Sequence, residues 1–370
     1  MKLTKLPILA LLVVAIIIIN PMLSAANLPS GSIVKAILQE RIDKEKQSVG
    51  IVVGLINPQN SKIINYGKLS QSSSQAVNGD TIFEIGSVSK VFTTLLLADM
   101  VERKQLNLKD PISKLLPKSV TAPTRKGKEI TLVDLATHTS GLPRLPNNLK
   151  PKDIENPYAD YTIEQLYSFL SNYQLPRDIG TKYEYSNLGV GLLGHILSLK
   201  TGIDYEKLVV TRIAKPLQMN STQIQISSEM QPRFATGHNQ KLEAVKYWDI
   251  PTLAGAGALH STANDLLKFV AANLGLIKSS LSSAMQLSQQ VVYKNDISNL
   301  SMGLGWHIMK KDNREIIWHN GGTGGFHSFI GFDKNKRIGV VVLSNSINNI
   351  DDIGLHLLNK NIPLTKTRNF

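Results

Sequence analysis

Strand patterns occupy both ends of this chain and helix patterns fill the long middle, and few folds accommodate that order. Near the start, Val49 to Asn57 (VGIVVGLIN) is apolar and β-branched. A Pro-Gln-Asn-Ser turn follows, and Lys62 to Tyr66 resumes the pattern, so the pair predicts a hairpin. The last third repeats the texture in Gly303 to Lys310, Arg314 to His319, Phe326 to Asp333 and Arg337 to Ser344, with a turn at Asp333, Lys334 and Asn335. Helical periods mark Ser30 to Lys46, where Ile33, Val34, Ile37, Leu38 and Ile42 share a face, and Asn349 to Lys360. Between the β-rich ends lie Val88 to Arg103, Ile163 to Ser171 and Leu188 to Thr201, all helical in period. The expectation is an α/β (α+β) fold: one antiparallel sheet from both termini, flanked by terminal helices, with a mainly helical domain inserted. Its parts are residues 27–86 and 254–370 for the sheet domain and 87–253 for the helical domain, with a cleft between them.

Residues 1–26 read as a secretory signal peptide: Lys2 and Lys5, an apolar run from Leu6 to Ile19, a break at Pro21, and small residues ending at Ala25 and Ala26. The run is short of the roughly 20 residues that span a bilayer, so cleavage near Ala26 and export to the periplasm or medium are expected, with membrane attachment only if the segment is retained. The absence of cysteine leaves an exported chain to be held by its core. The net charge of +13 comes from lysines scattered through polar segments, not from a block, and aromatics are only 6%. Neither feature points to nucleic acid.

The sharpest local motif is Gly86-Ser87-Val88-Ser89-Lys90, opening a helix whose Val91, Phe92, Leu95, Leu96, Leu97 and Met100 are too apolar for a surface. A spacing of three puts Ser87 and Lys90 one turn apart on one face. A buried lysine loses proton affinity and can act as a base on the hydroxyl, while unpaired helix N–H groups favour an oxyanion there. Ser32-Ile33-Val34-Lys35 has the same spacing on an amphipathic helix and reads as surface. A second motif is Tyr185-Ser186-Asn187, where a phenol can shuttle a proton and an amide can hold a substrate amide. Tyr293-Lys294-Asn295 copies it in a polar stretch and reads as loop. The third is Trp318-His319-Asn320-Gly321-Gly322-Thr323-Gly324-Gly325-Phe326, joining two strands. There a cationic or hydrogen-bonding His319 can hold substrate, and the glycines admit it close to the backbone.

In this order the three motifs form the pattern of serine β-lactamases and penicillin-binding proteins. The chain resembles class C β-lactamases and their DD-peptidase and esterase relatives over nearly everything after the signal. FEIGSVSKVFT from Phe83, LATHTSGLPRLP from Leu135, KYEYSNLGVGLLGHIL from Lys182 and AGAGALHSTANDLLKF from Ala254 carry the resemblance too. It implies that Ser87 attacks a carbonyl, that Lys90 and Tyr185 manage its proton, and that Asn187 positions a substrate amide. Backbone N–H groups of Ser87 and Gly322 would form the oxyanion hole. His319, Asn320 and Gly321 would bind substrate in the place of the usual Lys-Thr-Gly. Asn320 for a small hydroxyl residue predicts a lowered preference for free C-terminal carboxylates.

The expected function is an exported serine hydrolase acting through an acyl-enzyme on D-Ala-D-Ala-type peptides of peptidoglycan, on β-lactams, or on both. An esterase of the same family and a non-catalytic cell-wall binding protein are the alternatives. Gly189-Val190-Gly191-Leu192-Leu193-Gly194 completes a G-x-G-x-x-G, yet no buried strand pattern precedes it, so helix packing explains it better than a nucleotide. The eight histidines form no H-E-x-x-H, and no metal or other cofactor is expected. His138 reads as fixing a helix end and loop, and His327 as lining the cleft without a defined role.

Overall fold

The computed structural model describes residues 27–294, 300–312 and 314–365. The predicted signal segment lies outside them. In chain order the strands are β1 (Gly50–Ile56), β2 (Ser61–Gly67), β3 (Phe83–Glu84), β4 (Thr124–Arg125), β5 (Lys128–Glu129), β6 (His260–Ser261), β7 (Tyr293–Lys294), β8 (Leu300–Met302), β9 (His307–Lys311), β10 (Arg314–Gly322), β11 (His327–Asp333) and β12 (Ile338–Ser344). The α-helices are α1 (Gly31–Gln39), α2 (Ser89–Glu102), α3 (Leu132–Ala136), α4 (Ile163–Asn172), α5 (Asn187–Thr201), α6 (Tyr205–Val209), α7 (Ala263–Asn273), α8 (Ser282–Ser288) and α9 (Asp351–Leu358).

Eight strands form one sheet in the order β2-β1-β12-β11-β10-β9-β8-β7, every neighbouring pair antiparallel. The two ends of the chain meet inside it, as the second and third strands from one edge, where Ile51 of β1 pairs with Ser344 of β12. Both faces of the sheet are covered, and β12 shows how. Val340 and Val342 pack toward α1 and α9 with Val34, Leu38 and Leu357, whereas Val341 and Leu343 pack into the larger core with α2 and α7. Burial on both sides is why these strands read as continuous apolar runs rather than as alternating ones.

Helix α2 is the centre of that larger core. All twelve residues from Ser89 to Met100 are buried, and Phe92 stacks on Phe269 of α7 with ring centroids 4.3 Å apart. No helix among the described residues is long and apolar enough to cross a membrane. The Tyr293 copy of the Tyr-x-Asn motif, expected to be loop, instead opens the edge strand β7, and its hydroxyl accepts the backbone N–H of Tyr183 at 3.2 Å.

Candidate active site

Ser87 sits in a single 3-10 turn, Gly86–Val88, that leads from β3 into buried α2. That turn is pressed against the end of β10. Gly86 holds a left-handed φ of +47°, and a Cβ there would lie 2.9 Å from the backbone N and O of Gly322. A Cβ on Gly321 would lie 2.1 Å from the Ile85 carbonyl oxygen and 2.8 Å from the Ser87 nitrogen. Only glycine permits this approach from both sides, and the approach brings the Ser87 and Gly322 backbone amides into one neighbourhood.

Lys90 lies one turn along α2 and is wholly buried. Its Nζ is 2.9 Å from Ser87 Oγ and donates to the Ala256 carbonyl at 2.6 Å. Burial holds its pKa well below the ordinary lysine value, and the nearby positive charge of Arg144 adds to the effect. The amine therefore has a neutral form suited to taking the Ser87 proton.

Tyr185 comes from the segment before α5, and its hydroxyl hydrogen-bonds Ser87. Burial pushes its pKa well above that of a free phenol, so it stays protonated and serves as a donor rather than as the resting base. Lys90 Nζ lies 4.9 Å from the centre of the ring and the Arg144 guanidinium 5.0 Å from it. His138 packs against the same ring with centroids 4.5 Å apart. Its Nδ1 accepts the Ser186 backbone N–H at 3.0 Å and its carbonyl accepts that of Glu184 at 2.8 Å, so His138 positions the whole Tyr185 segment.

These groups open onto a cleft of about 550 Å³ lined by Ser87, Tyr185, Asn187, Asn320, Gly321 and Gly322, among others. Asn187 donates through Nδ2 to the Tyr158 hydroxyl at 3.2 Å, and its Oδ1 is buried without a protein partner. A buried lone acceptor on a cleft wall suits a substrate N–H. No cluster of His, Asp or Glu among the described residues is placed to hold a metal ion.

With that geometry in hand, likeness to known proteins becomes specific. The Beta-lactamase family model matches residues 34–355. The chain belongs to the β-lactamase family. A curated β-lactamase of Escherichia coli K12 is 28% identical over 338 residues, covering 81% of this chain and 85% of the relative. The D-alanyl-D-alanine-carboxypeptidase/endopeptidase AmpH of the same strain is 28% identical over 316 residues, covering 80% and 79%. Among solved structures, a class C β-lactamase from Rhodobacter sphaeroides superposes with a TM-score of 0.77 at 26% identity, over 89% of this chain and 99% of that one. A β-lactamase/D-alanine carboxypeptidase from Pseudomonas syringae shares the fold with a TM-score of 0.80 at 21% identity, over 91% and 100%. This protein is thus a serine hydrolase of the β-lactamase family, with the expected mixed α/β fold.

One expected site residue lies elsewhere than the sequence suggested. His319 is fully buried and does not line the cleft; its Nδ1 meets the Asn320 carbonyl at 2.6 Å and its Nε2 has no partner. The reason is strand parity. Alternate residues of β10 face opposite sides, so Ile317 and His319 face the core of α2 while Trp318 and Asn320 face the side of α9. Burial, with His307 and Lys90 beside it, drives the His319 pKa well below the ordinary value. It is therefore a neutral ring at neutral pH, not a cation for substrate. His307 stacks on it at 5.0 Å and takes the place at the cleft wall.

Other wall residues carry no motif. Trp248 and Tyr158 pack with ring centroids 5.4 Å apart on the cleft wall, Trp248 lying against Gly324 in the connection from β10 to β11. Beneath them Glu84 is buried; it accepts the Trp248 backbone N–H at 2.7 Å and the Thr323 hydroxyl at 2.5 Å. It thereby ties the Trp248 wall to the segment that follows Gly322.

Proposed function

We propose that this protein hydrolyses amide or lactam bonds through a covalent Ser87 ester, with D-Ala-D-Ala-type peptides and β-lactams as its substrate class. The observation that carries the reading is the fully buried Lys90 amine 2.9 Å from Ser87 Oγ, with a protonated Tyr185 on the same hydroxyl. Neutral Lys90 takes the Ser87 proton as Oγ bonds to the substrate carbonyl carbon. The carbonyl oxygen becomes an oxyanion between the Ser87 and Gly322 N–H groups. Collapse breaks the carbon–nitrogen bond. The leaving nitrogen takes the Tyr185 hydroxyl proton, and the Lys90 ammonium returns a proton to Tyr185. Water then attacks the ester, releasing the acid and restoring Ser87. Asn187 Oδ1 accepts an N–H from the acyl half of the substrate, which favours amide-bearing acyl groups. The lysine-flanked apolar segment at the N-terminus supports export to the compartment where such peptides occur.

The test is intact-protein mass after exposure to a fluorescent penicillin, with Ser87→Ala alongside, while β-lactam hydrolysis and D-alanine release from a pentapeptide are followed. An adduct on the parent protein that Ser87→Ala lacks is expected. With D-alanine release it marks a peptidase, and rapid penicillin turnover marks a lactamase. Absence of adduct and turnover, with short esters also untouched, overturns the reading.

A further inference from the structure

The wall of the cleft beyond Gly322 is wired to a carboxylate that no motif contains. Asp351, the first residue of α9, accepts a hydrogen bond from Asn320 Nδ2 on Oδ2 at 2.6 Å and faces His327 Nε2 through Oδ1 at 2.9 Å. Both Asn320 and His327 line the cleft. A carboxylate has only acceptors to offer, so it dictates which atom each neighbour turns toward it. Asn320 must present its NH₂, which leaves Oδ1 as the free atom of a half-buried side chain on the cleft wall. His327 turns Nε2 toward the same carboxylate, and its Nδ1 lies on the Gly322 side, 3.9 Å from where a Cβ on that glycine would sit. Among the described residues the single Lys or Arg lining the cleft is Arg144, which lies over the Tyr185 ring.

We propose that Asp351 is a specificity-determining residue, holding Asn320 so that its amide oxygen faces the cleft, with His327 braced beside it, and that this wall selects a leaving group ending in an uncharged N–H donor over one ending in a free carboxylate. A carboxylate placed there would meet the Asn320 oxygen, with the negative charge of Asp351 directly behind it. A carboxamide would instead donate to Oδ1. The proposal rests on the acyl-transfer reading above and names the chemistry that this site prefers. Asp351 acts through its neighbours, so it is a positioning residue rather than a catalytic one.

Two peptides with the same acyl half test it, one ending in D-alanyl-D-alanine and the other in D-alanyl-D-alaninamide. Both give the same Ser87 ester, so only recognition of the leaving group differs. The parent protein is expected to favour the amide in kcat/KM by roughly tenfold or more, since juxtaposed like charges are costly. In Asp351→Asn the new side chain can donate as well as accept, Asn320 is free to turn, and the ratio should fall toward unity through faster turnover of the acid. Asn320→Ala, which removes the acceptor while leaving every residue of α9 in place, should lower the ratio too and covers the case in which the Asp351 variant fails to fold. A merely structural Asp351 would slow both peptides alike. Equal turnover by the parent protein, or an unchanged ratio in both variants, overturns the proposal. Failure of every substrate to acylate Ser87 would instead overturn the underlying acyl-transfer reading.

Discussion

Glu84 offers a perturbation whose size can be worked from the structure. Its carboxyl is buried beneath the site, and desolvation, only partly offset by the Thr323 and Trp248 hydrogen bonds, lifts its pKa from 4.5 to about 7. Folding therefore favours the protonated acid. Stability from this group is fully present below pH 4.5 and is lost as the pH rises through about 7, because in that window the unfolded chain binds fewer protons than the folded one. At 1.36 kcal/mol per unit, the loss amounts to about 3 kcal/mol. Gln at this position keeps an acceptor for the Trp248 N–H and cannot ionise. It also changes the bond to Thr323, which shifts stability by about 1 kcal/mol at every pH. The buried histidines work in the opposite sense. Burial lowers the pKa of His138, His260, His307 and His319, so they cost stability as the pH falls below 6.5. They are common to both proteins and cancel in the difference. Urea unfolding of the parent and Glu84→Gln between pH 4.5 and 8 should give a stability difference that moves by about 3 kcal/mol in favour of the variant as pH rises. Parallel curves would refute the argument.

Removal of the Arg144 charge in Arg144→Gln should raise the Lys90 pKa, since that charge helps to lower it, and so move the acidic limb of the kcat/KM profile to higher pH; an unmoved limb would mean that Lys90 is not the base. Tyr185→Phe should lower kcat by roughly 10²- to 10⁴-fold, the usual worth of a positioned acid or base, while the acidic limb persists because Lys90 supplies it. Loss of that limb in steady-state profiles would reverse the assignment. Gly321→Ala forces a Cβ to 2.1 Å from the Ile85 carbonyl oxygen and should destabilise the fold by about 1–3 kcal/mol, whereas at Gly322 the nearest atoms beyond its chain neighbours stand 3.9 Å away. Thermal unfolding should separate these two neighbouring glycines; similar losses from both would contradict the packing of the Ser87 turn on β10.

What could be read without coordinates follows from how far apart the interacting residues lie in the chain. Ser87 and Lys90 are one helical turn apart, and the apolar residues after them already require burial, so the serine–amine pair and the low proton affinity of Lys90 were both accessible from one short stretch. The sheet was legible for a related reason: strands covered on both faces leave long apolar runs such as Val49 to Ile56. His319 shows where motif reading misled, although the cue was present. A period of two puts His319 with Ile317 and Asn320 with Trp318, so the two neighbours cannot line one wall together, although Ile316 and Ile317 are equally buried and do not say which face meets the cleft. Asp351 had no such cue. Its meaning depends on α9 folding back across the ends of β10 and β11, so that a carboxylate 31 positions from Asn320 and 24 from His327 fixes the atoms both present to substrate. A specificity device of this kind belongs to the packing of a helix on a sheet edge, and a pattern of adjacent letters cannot hold it. The three motifs therefore speak to how the bond is broken, while the residues between and beyond them decide whose bond it is.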